Sequence, residues 1–247
     1  LVYEYNIIMG LSSLKGNSGY LGIDKRAESG STGTTGNVSI KKHFLERRSG
    51  NFAPIVPLPS NTLFFDDFED GTLTKWSVVN GSEGSYWVAG VTQNSTYPLS
   101  SGGTYSCYIS TDGTNYNYTT SSDSHIYFDV TVPADAVTMT LDFDWMCNGE
   151  STYDYGYVRF TTTAITPVAG TLYSTNRIGG GTSGRFDDVY NALADTEYVH
   201  ETITLNSGTT DWGVGVTRRF VFSWRSDSSI QNQPPFGVDN VILKYTT

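Results

Sequence analysis

The sequence predicts an all-β protein, a two-sheet antiparallel sandwich preceded by an extended N-terminal arm. Three observations carry this expectation. Val137, Met139, Leu141, Phe143, Trp145 and Cys147 recur at period two, with Thr138, Thr140, Asp142 and Asp144 between them, the pattern of a half-buried strand. The 247 residues hold 26 glycines and 17 tyrosines and are only 16% charged, a mixture that favours strands and turns over helices. Strand-like runs parted by turn signals then recur through residues 63–247, roughly ten in all, at the spacing of a jelly roll.

The run at residues 137–147 is the centre of the reading. Its apolar face needs a second sheet about 10 Å away with an inward row of its own. Phe220, Phe222 and Trp224 offer such a row, as do Val241 and Leu243 in the closing run Gly237-Val-Asp-Asn-Val-Ile-Leu-Lys-Tyr245.

In chain order, Met9-Gly10 reads as a translation start, which gives the eight residues before it the look of translated upstream sequence; a genuine extension is the alternative. Residues 10–60 are rich in Gly, Ser and Thr, with scattered basic residues, and cannot build a core of their own. Residues 40–48 read as two helical turns or a strand, and Pro54, Pro57 and Pro59 as a stiff linker. Tyr20, Leu21, Ile23, Phe44, Leu45 and Phe52 suit an arm that orders by docking on a neighbouring subunit, against the alternative of a disordered tail.

Residues 61–247 form the sandwich. Strands are expected around residues 63–68, 74–79, 86–89, 100–110, 125–132, 137–147, 153–160, 199–205 and 219–225, and in the closing run. Residues 179–184 are a glycine-rich loop, and residues 186–195 are the one stretch with helical character.

Residues 1–60 carry seven Lys/Arg against four acids, and the remainder eight against 21, so two segments of opposite sign suggest two roles. The net charge of −10 argues against nucleic-acid binding by the body. No run is long and apolar enough for membrane insertion as a helix, and no secretory signal is visible. Cys107 and Cys147 fall in strand-like runs and are either a cross-strand disulfide or two buried thiols. His43, His125 and His200 lack ligand spacing.

Phe65-Asp-Asp-Phe-Glu-Asp-Gly, Lys75-Trp-Ser, Tyr86-Trp-Val, Leu141-Asp-Phe-Asp-Trp, Tyr153-Asp-Tyr-Gly-Tyr-Val and Phe236-Gly-Val-Asp-Asn-Val-Ile-Leu resemble, in order, the landmarks of cleaved-adhesin and choice-of-anchor J domains. These are relatives of MAM domains with a concanavalin-like jelly roll. The resemblance spans about residues 63–247 and implies binding or display without catalysis. It also implies a structural calcium ion held by Glu69 and Asp239; the alternative is that both carboxylates hydrogen-bond turn amides or solvent. A second cation loop is degraded to Asn80-Gly-Ser-Glu-Gly.

Tyr86, Tyr116, Tyr118, Tyr153, Tyr155 and Trp212 lie in or beside loops, where rings stack on sugars; surface packing or a subunit contact is the alternative. Trp76, Trp145 and Trp224 are assigned to the core. A glycosidase needs two carboxylates roughly 5–9.5 Å apart across a cleft, and no catalytic motif marks such a pair, so no enzyme is expected.

By analogy with such domains, residues 10–60 look like the arm of a bacteriophage virion protein, a homo-oligomer docked on other virion subunits with its sandwich displayed at the virion surface for glycan or host binding. The alternative is an extracellular or cell-surface adhesin or carbohydrate-binding module.

Overall fold

A computed structural model of the chain describes residues 61–91, 97, 100–150, 152–187, 189–227 and 229–247. The expected arm, residues 1–60, lies outside the described residues together with its segment at 40–48 and its prolines.

Eleven strands run through the described residues: β1 (Thr62–Asp66), β2 (Ser77–Val79), β3 (Tyr86–Gly90), β4 (Ser106–Ser110), β5 (Ser122–Thr131), β6 (Thr138–Met146), β7 (Tyr155–Thr162), β8 (Arg177–Ile178), β9 (Val199–Asn206), β10 (Thr217–Ser226) and β11 (Gly237–Thr246). They form two antiparallel sheets. One has the order β3-β4-β11-β6-β9 with β1 added beside β11, and the other the order β2-β5-β10-β7-β8. The two inner faces make one core. From β6 come Met139, Leu141, Phe143 and Trp145, and from β10 come Phe220, Phe222 and Trp224, all buried. Phe143 meets Phe222 edge-to-face at 5.2 Å between ring centroids. Each such side chain contributes about 1.5–3 kcal/mol by leaving water. Trp76 joins this core with Trp145 and Trp224, as expected.

The central strand differs from expectation in two respects. Val137 precedes β6 and is 54% exposed, because the chain is still leaving the turn at Pro133. The closing strand β11 does not face β6 but pairs with it, Leu243 opposite Leu141. Val241 and Leu243 therefore widen the same apolar face, and β10 alone of the two supplies the facing row.

β11 organises the larger sheet. Val238 pairs with Cys107 of β4 on one side and Trp145 of β6 on the other. Further along, Val241 to Lys244 pair with β1, after a bulge between Asp239 and Ile242. Asn240 takes the left-handed conformation in that bulge, φ 50°, which asparagine tolerates better than most residues. Because β11 lies between β4 and β6, Cys107 and Cys147 stand about two strand spacings apart, roughly 9.6 Å, beyond the roughly 7 Å reach of a disulfide. Both are buried free thiols.

The strand β7 sets the two faces of the smaller sheet. Gly156, Val158 and Phe160 alternate with Tyr155, Tyr157 and Arg159, and Val158 and Phe160 enter the core. Glycine is required at 156 by the approach of Phe236, since a Cβ there would stand 2.3 Å from Phe236 Cγ. The expected helical character at residues 186–195 shrinks to one 3-10 turn, Ala192–Asp195, capped by the Asn191 side chain; a second 3-10 turn covers Gly181–Ser183.

Candidate functional site

On the outer face of the five-stranded sheet, alternation along β7 turns Tyr155, Tyr157 and Arg159 away from the core. The loop between β7 and β8 folds back over them. Tyr173 anchors it: its hydroxyl accepts from the Val168 amide at 3.0 Å and donates to Thr166 O at 3.2 Å, while its own amide donates to the Tyr157 hydroxyl at 3.3 Å. His125 holds the same loop from below, with Nε2 3.1 Å from Val168 O and Nδ1 2.8 Å from Ser223 Oγ. A carbonyl only accepts, so in the neutral ring Nε2 carries the proton and Nδ1 accepts from Ser223. Burial pushes His125 down to about 4, which keeps it neutral.

Guanidinium groups and tyrosine rings alternate on this face. Arg185 lies 4.8 Å from the Tyr155 ring, and Arg177 lies 5.2 Å from Tyr155 and 4.5 Å from Tyr157. Arg159 lies 4.5 Å from Tyr173. Such contacts each contribute about 0.5–2 kcal/mol, more as water is excluded. Arg159 Nε donates to Thr175 O at 2.8 Å, Arg177 Nε to Tyr173 O at 3.2 Å, and Arg177 Nη2 to the Tyr155 hydroxyl at 3.3 Å. Tyr173, Arg177 and Arg185 remain partly open to solvent. The sequence reading missed Arg159, Arg177, Arg185, Tyr157 and Tyr173. A period-two signal for Tyr155, Tyr157 and Arg159 was present in Tyr153-Asp-Tyr-Gly-Tyr-Val-Arg-Phe160.

The six aromatics proposed from sequence do not form one platform. Tyr116, Tyr118, Tyr155 and Trp212 are buried, so no free ring face is left for a sugar. Tyr116 packs on Tyr108 at 5.2 Å. Tyr118 packs on Trp224 at 4.9 Å and donates its hydroxyl to Asp154 at 2.7 Å. Trp212 belongs to the main core, and the Tyr155 ring lies against Arg177 and Arg185. Tyr86 is half-buried on β3, and Tyr153 is 51% exposed.

Glu69 and Asp239 converge on one loop, residues 100–105. Glu69 Oε1 accepts from the amides of Thr104 and Tyr105 at 2.7 and 3.0 Å. The approach is close enough that a Cβ on Gly103 would stand 2.0 Å from Oε1. Asp239, set by the β11 bulge, accepts from the Ser101 and Asn240 amides at 2.8 and 2.7 Å. It is 1% exposed, and burial, with Asp144 and Glu69 adding to it, pushes its carboxyl up to about 7. Among the described residues neither acid has a cationic partner. Both carboxylates thus hydrogen-bond loop amides, the alternative to a calcium ligand pair; each keeps lone pairs of the kind a hard cation takes.

Other carboxylates are already engaged. On the outer face of the six-stranded sheet, Asp142 meets Thr202 at 2.7 Å and Lys244 at 2.6 Å, and Asp144 meets His200 at 2.8 Å and Asn240 at 2.9 Å. Glu150, Asp154 and Asp227 bring one oxygen each within 4.8 Å of the others. Asp154 is buried and accepts from Tyr118 and from the Asp227 amide, both at 2.7 Å, and burial pushes its carboxyl up to about 6. It thereby ties the chain after β6 to the end of β10.

No protein-family model matches the chain, and no curated protein matches it. Solved structures do. The CBM22-1 xylan-binding domain of Paenibacillus barcinonensis Xyn10C aligns at 10% identity over 74% of this chain and 94% of that one, with a TM-score of 0.43. The K1 cleaved adhesin domain of Lys-gingipain from Porphyromonas gingivalis W83 aligns at 13% identity over 75% and 99%, TM-score 0.43. A cyclase from Fischerella sp. TAU aligns at 13% identity over 75% and 96%, TM-score 0.45. Likeness at this level assigns neither ligand nor activity.

Proposed function

We propose that residues 61–247 are a carbohydrate-binding module of the extracellular or cell-surface kind, with its binding face on the outside of the five-stranded sheet at β7 and β8. The observation that carries this reading is the partly open group of Tyr173, Arg177 and Arg185, backed by buried Tyr155, Tyr157 and Arg159. Rings and guanidinium groups locked by packing suit a saccharide, which offers apolar faces for stacking and hydroxyls as acceptors. The virion reading and the subunit docking expected of residues 10–60 rest on residues outside those described; the sandwich supports the carbohydrate-binding alternative.

In the same reading Glu69 and Asp239 hold a structural calcium ion, which supplies the positive charge their carboxylates lack and fixes loop 100–105. The binding function is tested by affinity electrophoresis of the full chain through gels containing neutral and acidic polysaccharides. Retardation by at least one polysaccharide, lost in Tyr173→Ala and Arg177→Ala with folding intact, supports the reading. Unretarded migration through every gel, or retardation indifferent to both substitutions, sinks it.

A further inference from the structure

We infer that the face of β7 and β8 takes an acidic saccharide, whose carboxylate or sulfate group is held by Arg177 and Arg185 with Arg159 behind them. This deepens the carbohydrate-binding reading and rests on it.

The first argument is register. Arg159 of β7 and Arg177 of β8 are direct cross-strand partners, and like charges directly opposite on one face destabilise a strand pair. A third guanidinium, Arg185, shares the Tyr155 ring with Arg177. Among the described residues no carboxylate lies within ion-pair distance of any of the three. Asp123 and Asp211 act on them only through space. Asp123 is held by Arg225 at 3.0 Å, and Asp211 accepts from the Asn176 side chain.

The chain is not short of acids, with 25 against 15 basic residues. On the same sheet face Arg219 is clamped by both oxygens of Asp129 at 2.8 Å, and Arg225 has Asp123. Two of the three cations of β10 are thus paired with carboxylates, while Arg218, like those of β7 and β8, donates to backbone carbonyls.

The second argument is unmet hydrogen bonding. Arg159 is 1% exposed, and among the described residues its Nη1 has no hydrogen-bond partner; neither has the buried Nε of Arg185. Thr175 O, Tyr173 O and the Tyr155 hydroxyl take three of the guanidinium donors, and among the described residues no ion pair balances the three charges. A guanidinium fork matches a planar carboxylate or a sulfate oxygen pair. A neutral sugar would satisfy donors without balancing charge.

The test uses the full chain in affinity electrophoresis against four probes: polygalacturonate and its neutral counterpart galactan, and dextran sulfate and its neutral counterpart dextran. The expected result is retention by at least one polyanion and weaker or no retention by its neutral counterpart; which polyanion is retained separates a carboxylate from a sulfate ligand. Arg177→Gln and Arg185→Gln should each weaken that retention by roughly tenfold. Each variant also loses its ring contacts, so melting temperatures should fall by several degrees, and a melt that stays cooperative shows that folding is intact. Retention by galactan or dextran equal to or above that by the polyanions overturns this inference and leaves carbohydrate binding standing; no retention by any of the four probes also overturns this inference, and carbohydrate binding falls with it only if the wider polysaccharide series is unretained as well. Polyanion retention that survives both substitutions, such as residues 1–60 with their excess of basic side chains could give, also overturns it.

Discussion

Replacing Gly156 by Ala tests the facing of β7, on which the arginine and tyrosine row depends. The new Cβ would stand 2.3–2.5 Å from Phe236 Cγ, Cδ1 and Cδ2, where carbon atoms prefer about 3.5–4.0 Å. The ring would have to retreat by more than about 1 Å. It is fully buried, stacked on Phe186 at 5.7 Å and set edge-on to Trp87 at 5.8 Å, so the strain spreads into the core. Overpacking of this kind costs about 1–3 kcal/mol, and a clamped ring puts the cost at the upper end. Urea denaturation should show a loss of about 3 kcal/mol, and thermal melting a drop of about 6–12 °C. In Gly156→Ala/Phe236→Leu the smaller side chain should relieve the clash, a coupling of at least about 1 kcal/mol. A stability change below about 0.5 kcal/mol, or strict additivity in the double variant, would refute the facing. A one-residue slip of β7 would bring Tyr155, Tyr157 and Arg159 to the inner face, and the proposed binding face would be lost with it.

Three further outcomes follow from the buried groups. Calcium at about 100 times its dissociation constant should add roughly 2.7 kcal/mol and raise the melting temperature by about 5–10 °C; Asp239→Ala should abolish that response, and a melting curve unmoved between chelator and millimolar calcium would contradict the site. In calcium-free buffer stability should rise as pH falls from about 7.5 to about 5. Burial holds the carboxyls of Asp239, Asp154 and Asp123 at about 7, 6 and 6 in place of 3.8, a contribution present below the unfolded value and lost as pH rises through the folded one. His125, lowered from 6.5 to about 4, acts oppositely, its contribution being fully present above 6.5 and lost as pH falls towards 4, but one imidazole is outweighed by three carboxyls; a chemical-denaturation series that falls over this range would contradict the assignment. Cys107 and Cys147, whose thiols burial pushes up, should resist a thiol reagent in the native chain and both react after unfolding; one disulfide found by mass spectrometry would contradict the strand order.

The two facing rows of the core were legible because large side chains recur at period two in β6 and β10, and only a sandwich buries both. The partner of β11 was not legible. Val241 and Leu243 present the same apolar row whether the strand lies beside β6 or across from it. β8 is two residues long, and its extended form comes from pairing with β7 rather than from its own composition. The loop aromatics were misassigned for a related reason. Asn, Thr and Gly around Tyr116 and Tyr118 mark a turn, yet the rings fold back, and the Tyr118 hydroxyl finds its acceptor in Asp154, 36 residues away. Arg159 alternates with core residues in plain view, whereas Arg177 of the two-residue β8 and Arg185 of the loop after it lie in segments that sequence spacing does not connect to β7.

Backbone amide chemical shifts in the isotope-labelled full chain, recorded while a short oligosaccharide of whichever polyanion the gels retain is titrated in, test the central claim most directly. The account predicts saturable shifts centred on residues 155–159, 173–177 and 185 on the outer face of the five-stranded sheet. Saturable shifts centred instead on Tyr86, on loop 100–105 or on the outer face of the six-stranded sheet would contradict it.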